Sequence, residues 1–513
     1  DLDPQLVWRG KDEQDWSDLV VNAPPVYIQE KVHPKVLIDD LLRRTASDKQ
    51  AAEIQTDLFA DFNGIPTEAA KTEFYQHDQN WSNRMILGDS LQVMASLAER
   101  EGLRGKVQCI YFDPPYGIKF NSNFQWSTTS RDVKDGNVDH ITREPEQVKA
   151  FRDTWRDGIH SYLTYLRDRL TVARDLLTES GSIFVQIGDE NVHVLRAMLD
   201  EVFGSENFCS LVTFIKTSGQ TDNLMASVSD YIVWYAKDRS SVKYRQPLRV
   251  RPLSEAIDGA YSHVEPPDGM RRVLSKDERM HPQILPQNSK VYRHQILTSQ
   301  SPGTRYVVNF QGQDIYPTTG YWKTQETSMP RLIKSDRIEN TGRTISYIRY
   351  ADDFAVVPIS NFWDDTGWSL GADKIYVVQT GTKIIERCIL MSTDPGDLVI
   401  DPTCGSGTTA YVSEQWGRRW ITIDTSRVAL ALARARIMGA RYPFYLLADS
   451  RDGQLKEADI SRKEPSSAPT HGDIRQGFVY ERVPHITLKS IANNAEIDVI
   501  WEKWQEKIAP LLE

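Results

Sequence analysis

Two short stretches carry residue types whose spacing suits chemistry. The first, "QCIYFDPPYGIKF" at 108–120, closes an apolar run with Asp113, Pro114, Pro115 and Tyr116. Proline has no amide hydrogen and fixes φ near −65°, so this turn is a rigid rim whose polar atoms are acceptors. The Asp113 carboxylate and the Pro114 carbonyl can both face an amino group, while the Tyr116 ring stacks on the plane that bears it. An aromatic amine suits such a rim. The second stretch is "VIDPTCGSGTTA" at 399–410. Gly405 and Gly407 let the backbone approach a ligand after Asp401, and a helix starting near Thr408 offers free amides to a carboxylate or other anion. Asp424 lies 23 residues beyond Asp401, at the end of the next expected strand, where an acid can accept hydrogen bonds from a ribose diol. No Gly-Lys-Ser/Thr follows, so the loop is not a P-loop.

The elements that must position these loops alternate. Strand "RMIL", a turn at Gly88-Asp89, a helix and strand "VQCIYF" read as one βαβ unit. Helix "GIHSYLTYLRDRLTVARDLLT", turn "ESG", strand "SIFVQIG", helix "NVHVLRAMLDEVFG" and a strand near "LVTFIK" follow. The alternation resumes with helix "GTKIIERCILMS", strand "LVI", a helix to Trp416, strand "RRWITID" and helix "SRVALALARARIMGA". This is the pattern of an open α/β sheet, and both chemical loops fall at carboxyl ends of its strands, where such sheets place ligands. The polar stretch 121–150 is too long for a simple connector and reads as a functional loop. "AEIDVIWEKWQEKIAPLLE" reads as an amphipathic terminal helix.

The chain has 513 residues, enough for two or three cores, with a formal net charge of −10. That average hides a reversal. Residues 241–350 hold 17 Lys/Arg against 10 Asp/Glu, with aromatics among the cations in "VYRHQ", "GTRYVVNF" and "TTGYWKTQ". Cations mixed with rings suit phosphates and bases. Arg293, Arg305, Tyr321 and Lys323 are the candidates there, together with Phe124 of the polar loop. The four cysteines are widely spaced, so neither a disulfide framework nor a zinc site is expected. In "IGDENVH", Asp189, Glu190 and His193 could look like a metal site, but the two acids read as caps opening a helix. No signal peptide or long apolar run is apparent, and a cytoplasmic protein without membrane contact is the expectation.

With both motifs in place, the sequence resembles the β-class amino-methyltransferases of DNA, the type III Mod subunits and related site-specific adenine methyltransferases among them. Asp113-Pro114-Pro115-Tyr116 matches the catalytic motif and "DPTCGSGTT" the S-adenosylmethionine motif. The catalytic motif precedes the cofactor motif by 288 positions with the basic segment between them, which looks like the circularly permuted β-class order. The resemblance covers roughly residues 80–450. It implies a Rossmann-like S-adenosylmethionine-dependent methyltransferase domain carrying an inserted β-rich target recognition domain and helical extensions. The corresponding division is an N-terminal extension 1–80, a catalytic half 81–217, a recognition domain 218–360, a cofactor half 361–452 and a C-terminal extension 453–513.

Under the same resemblance, Asp89 contacts the adenine ring of the cofactor, and Asp424 its ribose. Asp401, Cys404, Gly405, Gly407 and Thr408 line its methionine end. The helix "KIIERCI" resembles the element that closes over that end, although the usual Lys-Pro is replaced by "VVQTGTK". The implied reaction is methyl transfer to the exocyclic amine of a flipped base in double-stranded DNA. An acid at the first motif position points to adenine N6; cytosine N4 is the alternative, followed by an RNA or a protein amide. A subunit that only binds DNA is disfavoured by intact motifs. Carbon-5 methylation needs a nucleophilic cysteine, usually after proline, and no Pro-Cys occurs. The resemblance also admits a homodimer and a separate helicase–nuclease restriction subunit as partners. "WDDTGWS" at 363–369 reads as a surface loop, with DNA or the methyl donor as its other candidates.

Overall fold

The computed structural model describes residues 6–9, 11, 21, 23, 24, 26, 83–116, 158–216, 224–342, 344–367 and 379–512. Phe124, the 121–150 loop and the N-terminal helices expected from sequence lie outside these residues. The chain divides into two compact units, Asp1–Pro247 with Ile359–Val479, and Leu248–Pro358 with Tyr480–Glu513. No helix among the described residues is long and apolar enough to cross a membrane.

The first unit is built on an eight-stranded sheet. In chain order its elements are β1 (Arg84–Leu87), α1 (Ser90–Glu99), β2 (Val107–Phe112), α2 (Ile159–Leu176), β3 (Leu177–Ile187), α3 (Val192–Phe203), β4 (Phe208–Ile215), β5 (Ser229–Ala236), β6 (Phe362–Trp363), α4 (Thr382–Ser392), β7 (Leu398–Asp401), α5 (Thr408–Gln415), β8 (Arg419–Asp424) and α6 (Arg427–Gly439). The strand order is β1-β8-β7-β2-β3-β5-β4-β6, with β5 antiparallel to both neighbours and every other pairing parallel. This is a mainly parallel, Rossmann-like sheet. β7, which ends at Asp401, and β2, which leads into Asp113, are direct neighbours, Val399 opposite Cys109 and Ile400 opposite Ile110.

Side chains of β2 alternate between two cores because successive residues of a strand point to opposite faces. Ile110 and Phe112 join Met94, Leu97, Leu166, Leu170 and Leu199 beneath α1, α2 and α3. Cys109 and Tyr111 join Phe184, Ile385, Cys388 and Val412 beneath α4 and α5. Each fully buried aliphatic side chain contributes roughly 1.5–3 kcal/mol, so the sheet holds its strand ends, and the loops on them, rigidly. Trp8 of the N-terminal segment is buried in the first core and its indole donates to Thr164 Oγ1 at 3.0 Å.

Three expectations need correction. The "ESG" turn does not separate α2 from β3: Val107 pairs with Leu177 but Cys109 with Ser182, so residues 178–181 bulge within a continuous strand. The segment 218–360 is not one recognition body, because β5 lies in the middle of the catalytic sheet and only 248–358 falls in the second unit. Its apolar "YIVWYA" run pairs with both β3 and β4, which a break placed at 218 overlooks. Residues 453–513 are likewise split, 480–513 belonging to the second unit.

The second unit is β-rich. Its main sheet is antiparallel and takes its strands in the order 338–340, 345–350, 290–296, 263–265, 272–273. Leu297, Trp322, Leu332, Ile345 and Tyr347 share a core with Ile491 and Ala492 from the C-terminal segment. Arg331 and Lys334 hold Asp498 of the terminal helix Glu496–Leu512 at 2.8 and 2.7 Å. Leu248–Val250 pairs antiparallel with Val356–Pro358. In the first unit, Ile359 N donates to the Pro247 carbonyl at 2.9 Å, and Gln246 Nε2 to the Ile359 carbonyl at 3.1 Å.

Candidate active site

The loop after β7 is held by main-chain groups. Asp401, buried at the strand end, accepts from Thr403 N at 2.9 Å. Cys404 N donates to the Ile423 carbonyl and Gly407 N to the Cys404 carbonyl, both at 2.8 Å. Gly405 and Gly407 have φ of 49° and 71°, left-handed conformations that favour glycine. A Cβ on Gly407 would stand 2.6 Å from that of Ala433, so the third side of the turn also has no room. Asp424 ends β8 and accepts from Gly405 N and Ser426 N, each at 2.8 Å. Burial pushes the carboxyls of Asp401 and Asp424 up to about 6. It also pushes the Cys404 thiol well up, which keeps it protonated and non-nucleophilic. Thr408 is buried and turned to Arg436, whose Nη1 donates to its hydroxyl at 2.8 Å.

Beside this loop, Asp89 caps α1 by accepting from Leu91 N at 3.0 Å. Its other oxygen pairs with Arg169, which also donates to Ser90 Oγ at 2.9 Å and lies 3.5 Å over the Tyr165 ring. Gly88 N donates to the Asp424 carbonyl at 2.9 Å. The two acids read as adenine and ribose contacts thus stand at neighbouring strand ends. Arg169 and Tyr165 were missed by sequence reading, because a helix interior gives no motif to find them by.

The loop after β2 lacks amides at both prolines and is held from outside. Asp113 N donates to Thr403 Oγ1 at 3.0 Å, which ties the catalytic loop to the cofactor loop. Asn191 Nδ2 donates to the Tyr116 carbonyl at 2.7 Å. This corrects the reading of "IGDENVH": Asn191, not an acid, occupies the N-cap of α3, without a side-chain cap bond, and its Nδ2 is turned to Tyr116. Gln186 Nε2 donates to Tyr116 Oη at 2.6 Å, and the Tyr116 hydroxyl reaches Asp230 Oδ2 at 3.3 Å. Lys216 Nζ holds the other Asp230 oxygen at 3.1 Å. Thr380 Oγ1 lies 3.3 Å from Asp113 Oδ2.

Burial first, then the nearby Asp401 and Asp230, push the Asp113 carboxyl up to about 8, with Thr380 and Tyr116 opposing. Gln186, Asp230 and Thr380 had no sequence motif, although Thr380 falls within the stretch that departs from the usual Lys-Pro. Next to it, Asp365 of "WDDTGWS" takes a bidentate pair from Arg387 at 2.8 and 2.7 Å and a third bond from Lys383 at 2.6 Å. That part of the loop clasps α4; Trp368 and Ser369 lie outside the described residues.

In the second unit, the structure brings together some of the candidates. The exposed Arg305 guanidinium lies 5.2 Å from the Tyr316 ring and 5.9 Å from that of Tyr321. Lys323, also exposed, donates to the Ile296 carbonyl at 2.7 Å. Arg293 stands elsewhere, 5.3 Å over the Tyr261 ring. Tyr316 completes the Arg305 cluster and was not singled out from sequence. Among the described residues no His, Cys, Asp or Glu group is placed to hold a metal ion.

The sequence has relatives among known proteins. The N6_N4_Mtase family, described as DNA methylase, matches residues 107–435, well over half of the chain. The type II methyltransferase M.EcaI of Enterobacter cloacae is 26% identical over 374 residues, covering 71% of this chain and 70% of its own. The type III restriction-modification enzyme StyLTI Mod subunit of Salmonella typhimurium is 25% identical over 382 residues, covering 69% of this chain and 54% of its own. This chain thus spans about half the length of that Mod subunit. The EcoPI Mod subunit of Escherichia phage P1 is 31% identical over 188 residues, 34% of this chain and 28% of its own. With its paired loops on adjacent strands of the expected sheet, the chain belongs to the N6/N4 DNA methylase family, S-adenosylmethionine-dependent methyltransferases of DNA.

Proposed function

We propose that the protein transfers the methyl group of S-adenosylmethionine to the N6 amine of a flipped adenine in double-stranded DNA, as the modification enzyme of a restriction-modification system. One observation carries the reading: a single hydrogen bond, Asp113 N to Thr403 Oγ1, joins the amine-binding rim to the cofactor loop. The Asp401–Thr408 loop and Asp424 would hold the methionine end and ribose, with Asp89 at the adenine. The cofactor supplies an electrophilic methyl group. The chain's residues bind, aim and exclude water. An exocyclic amine is a poor nucleophile because its lone pair is delocalised into the ring; hydrogen bonds to Asp113 and the Pro114 carbonyl favour a tetrahedral nitrogen. The rate gain comes from proximity and preorganised electrostatics. Flipping costs a few kcal/mol, part of which stacking on Tyr116 offsets.

The second unit serves target recognition, with Arg305, Tyr316, Tyr321 and Lys323 as a contact patch and Arg293 as a separate contact. A second copy of the chain and a separate helicase–nuclease subunit are the protein partners, on the likeness to Mod subunits. The test is incubation with methyl-labelled S-adenosylmethionine and mixed-sequence DNA, followed by digestion to nucleosides. Label is expected in N6-methyladenine and absent with Asp113→Ala. Label in N4-methylcytosine would move the assignment to the second reading, and label in neither would sink both.

A further inference from the structure

We propose that Gln186 and Thr380 are positioning residues which, as one hydrogen-bonded unit, aim the Asp113 carboxylate at the amine and lock the Tyr116 ring. The proposal rests on the methyl-transfer reading and adds two residues to it that neither motif contains.

The geometry begins in the core. Tyr111 is buried in β2 and its hydroxyl lies 2.5 Å from Gln186 Oε1. A carbonyl oxygen only accepts, so Tyr111 donates and the Gln186 amide is fixed in one orientation. Both hydrogens of Nε2 are then committed, one to Tyr116 Oη at 2.6 Å and one to Thr380 Oγ1 at 3.1 Å. Because Tyr116 accepts from Gln186, its own proton is left for Asp230 Oδ2 at 3.3 Å, which fixes the ring from two sides. Because Thr380 also accepts from Gln186, its single proton has two acceptors in reach, Gln186 Oε1 at 3.2 Å and Asp113 Oδ2 at 3.3 Å. Once Asp113 is ionised the charge-assisted bond wins. Oδ2 thereby takes the Thr380 proton, which sets the orientation in which the carboxylate meets the amine.

The surroundings make this donor consequential. Asp113 faces Asp401 from β7, Asp230 from β5, Tyr111 from its own strand and Tyr116 from its own loop. The Lys216 ammonium is spent on Asp230. Asp113 must therefore ionise beside two acids, and the Thr380 hydroxyl is a neutral group that favours the charged form. Gln186 keeps that hydroxyl pointing the right way.

The test compares wild type, Thr380→Val, Thr380→Ser and Gln186→Leu. Valine and leucine keep shape and remove the bonds; serine restores the hydroxyl. A hydrogen bond to a charged group is worth about 1.5–3 kcal/mol, so kcat should fall about tenfold to a hundredfold in Thr380→Val and Gln186→Leu. KM for DNA and Kd for S-adenosylmethionine should stay within about twofold, since neither residue is assigned to binding. The acid limb of the pH–kcat profile should move upward in Thr380→Val and return in Thr380→Ser. Wild-type kcat and profile in Thr380→Val, or losses that track cofactor affinity, would overturn the proposal. A second arm does not need activity: the unfolding free energy of each protein is compared with that of its Asp113→Asn derivative across pH. The difference should change up to about pH 8 in wild type, and up to a higher pH in the Thr380→Val background. Identical curves would also overturn the proposal. A wild type inert on DNA would sink the functional reading while this arm still decides the positioning role.

Discussion

The cofactor loop and the catalytic loop sit on adjacent strands, yet they are secured in different ways. Between Asp401 and Thr408 the turn is fixed by main-chain amides given to Asp401, Ile423, Cys404 and Asp424, and by the lack of room for a side chain at Gly407. Between Asp113 and Tyr116 two prolines remove those amides, and the turn is fixed by side chains of Thr403, Asn191, Gln186 and Asp230 from other elements. A loop held by its own backbone is specified locally. One held by distant side chains leaves its acceptors free for substrate, at the cost of depending on residues scattered along the chain.

The sharpest way to break the comparison is Gly407→Val. The left-handed φ and the close Ala433 contact should together cost about 2–5 kcal/mol. Calorimetric titration should then find S-adenosylmethionine binding lost, with a lowered Tm; retained affinity would mean that the loop is not fixed by its backbone. The catalytic loop should instead reveal itself in pH. Because Asp113 must be ionised to accept from the amine, and its carboxyl is pushed up to about 8, kcat/KM should fall about tenfold per unit as pH drops below that value. A profile flat down to pH 6 would show that the acid is ionised in the free enzyme. Thr403→Val removes the joint between the loops and should lower cofactor affinity and kcat together, by about tenfold each; a loss in only one would separate them. Asn191→Ala, which frees only the Tyr116 carbonyl, should lower kcat about threefold to tenfold with unchanged cofactor binding.

The same contrast explains what was legible in the sequence. Strand ends, glycines and prolines act over a few residues, so the alternation of elements and both loops could be read directly, while the permuted order came from the resemblance. Asp424 was singled out because its spacing from Asp401 placed it at a strand end, and Asp89 because the resemblance pointed to it. Gln186, Asp230 and Thr380 were not, since each is an ordinary residue whose role exists only once β3, β5 and the segment before α4 converge. β5 was assigned to the wrong region for a related reason: its pairing partners, β3 and β4, precede it, and the division implied by the resemblance placed it with the basic segment that follows. Arg169 looked like one of many helix cations until its pairing with Asp89 was seen. Tyr316 gained its role from folding that set it against Arg305.

The chain leaves and re-enters the first unit at almost one point, where Ile359 N meets the Pro247 carbonyl at 2.9 Å. An excursion whose ends are already stapled makes little demand on the sheet, and doubling the length of a flexible closed loop adds only about 0.6 kcal/mol of closure entropy. The second unit can therefore be exchanged or enlarged with little penalty to the sheet of the first. The transplant has two pieces. Ile491 and Ala492 fill the same core as Leu297 and Trp322, so an exchange of 248–358 that leaves 480–513 behind would strip the graft of part of its interior. Chimeras cut at 247/359 and again at 479 should fold, and those cut only at the first pair should aggregate.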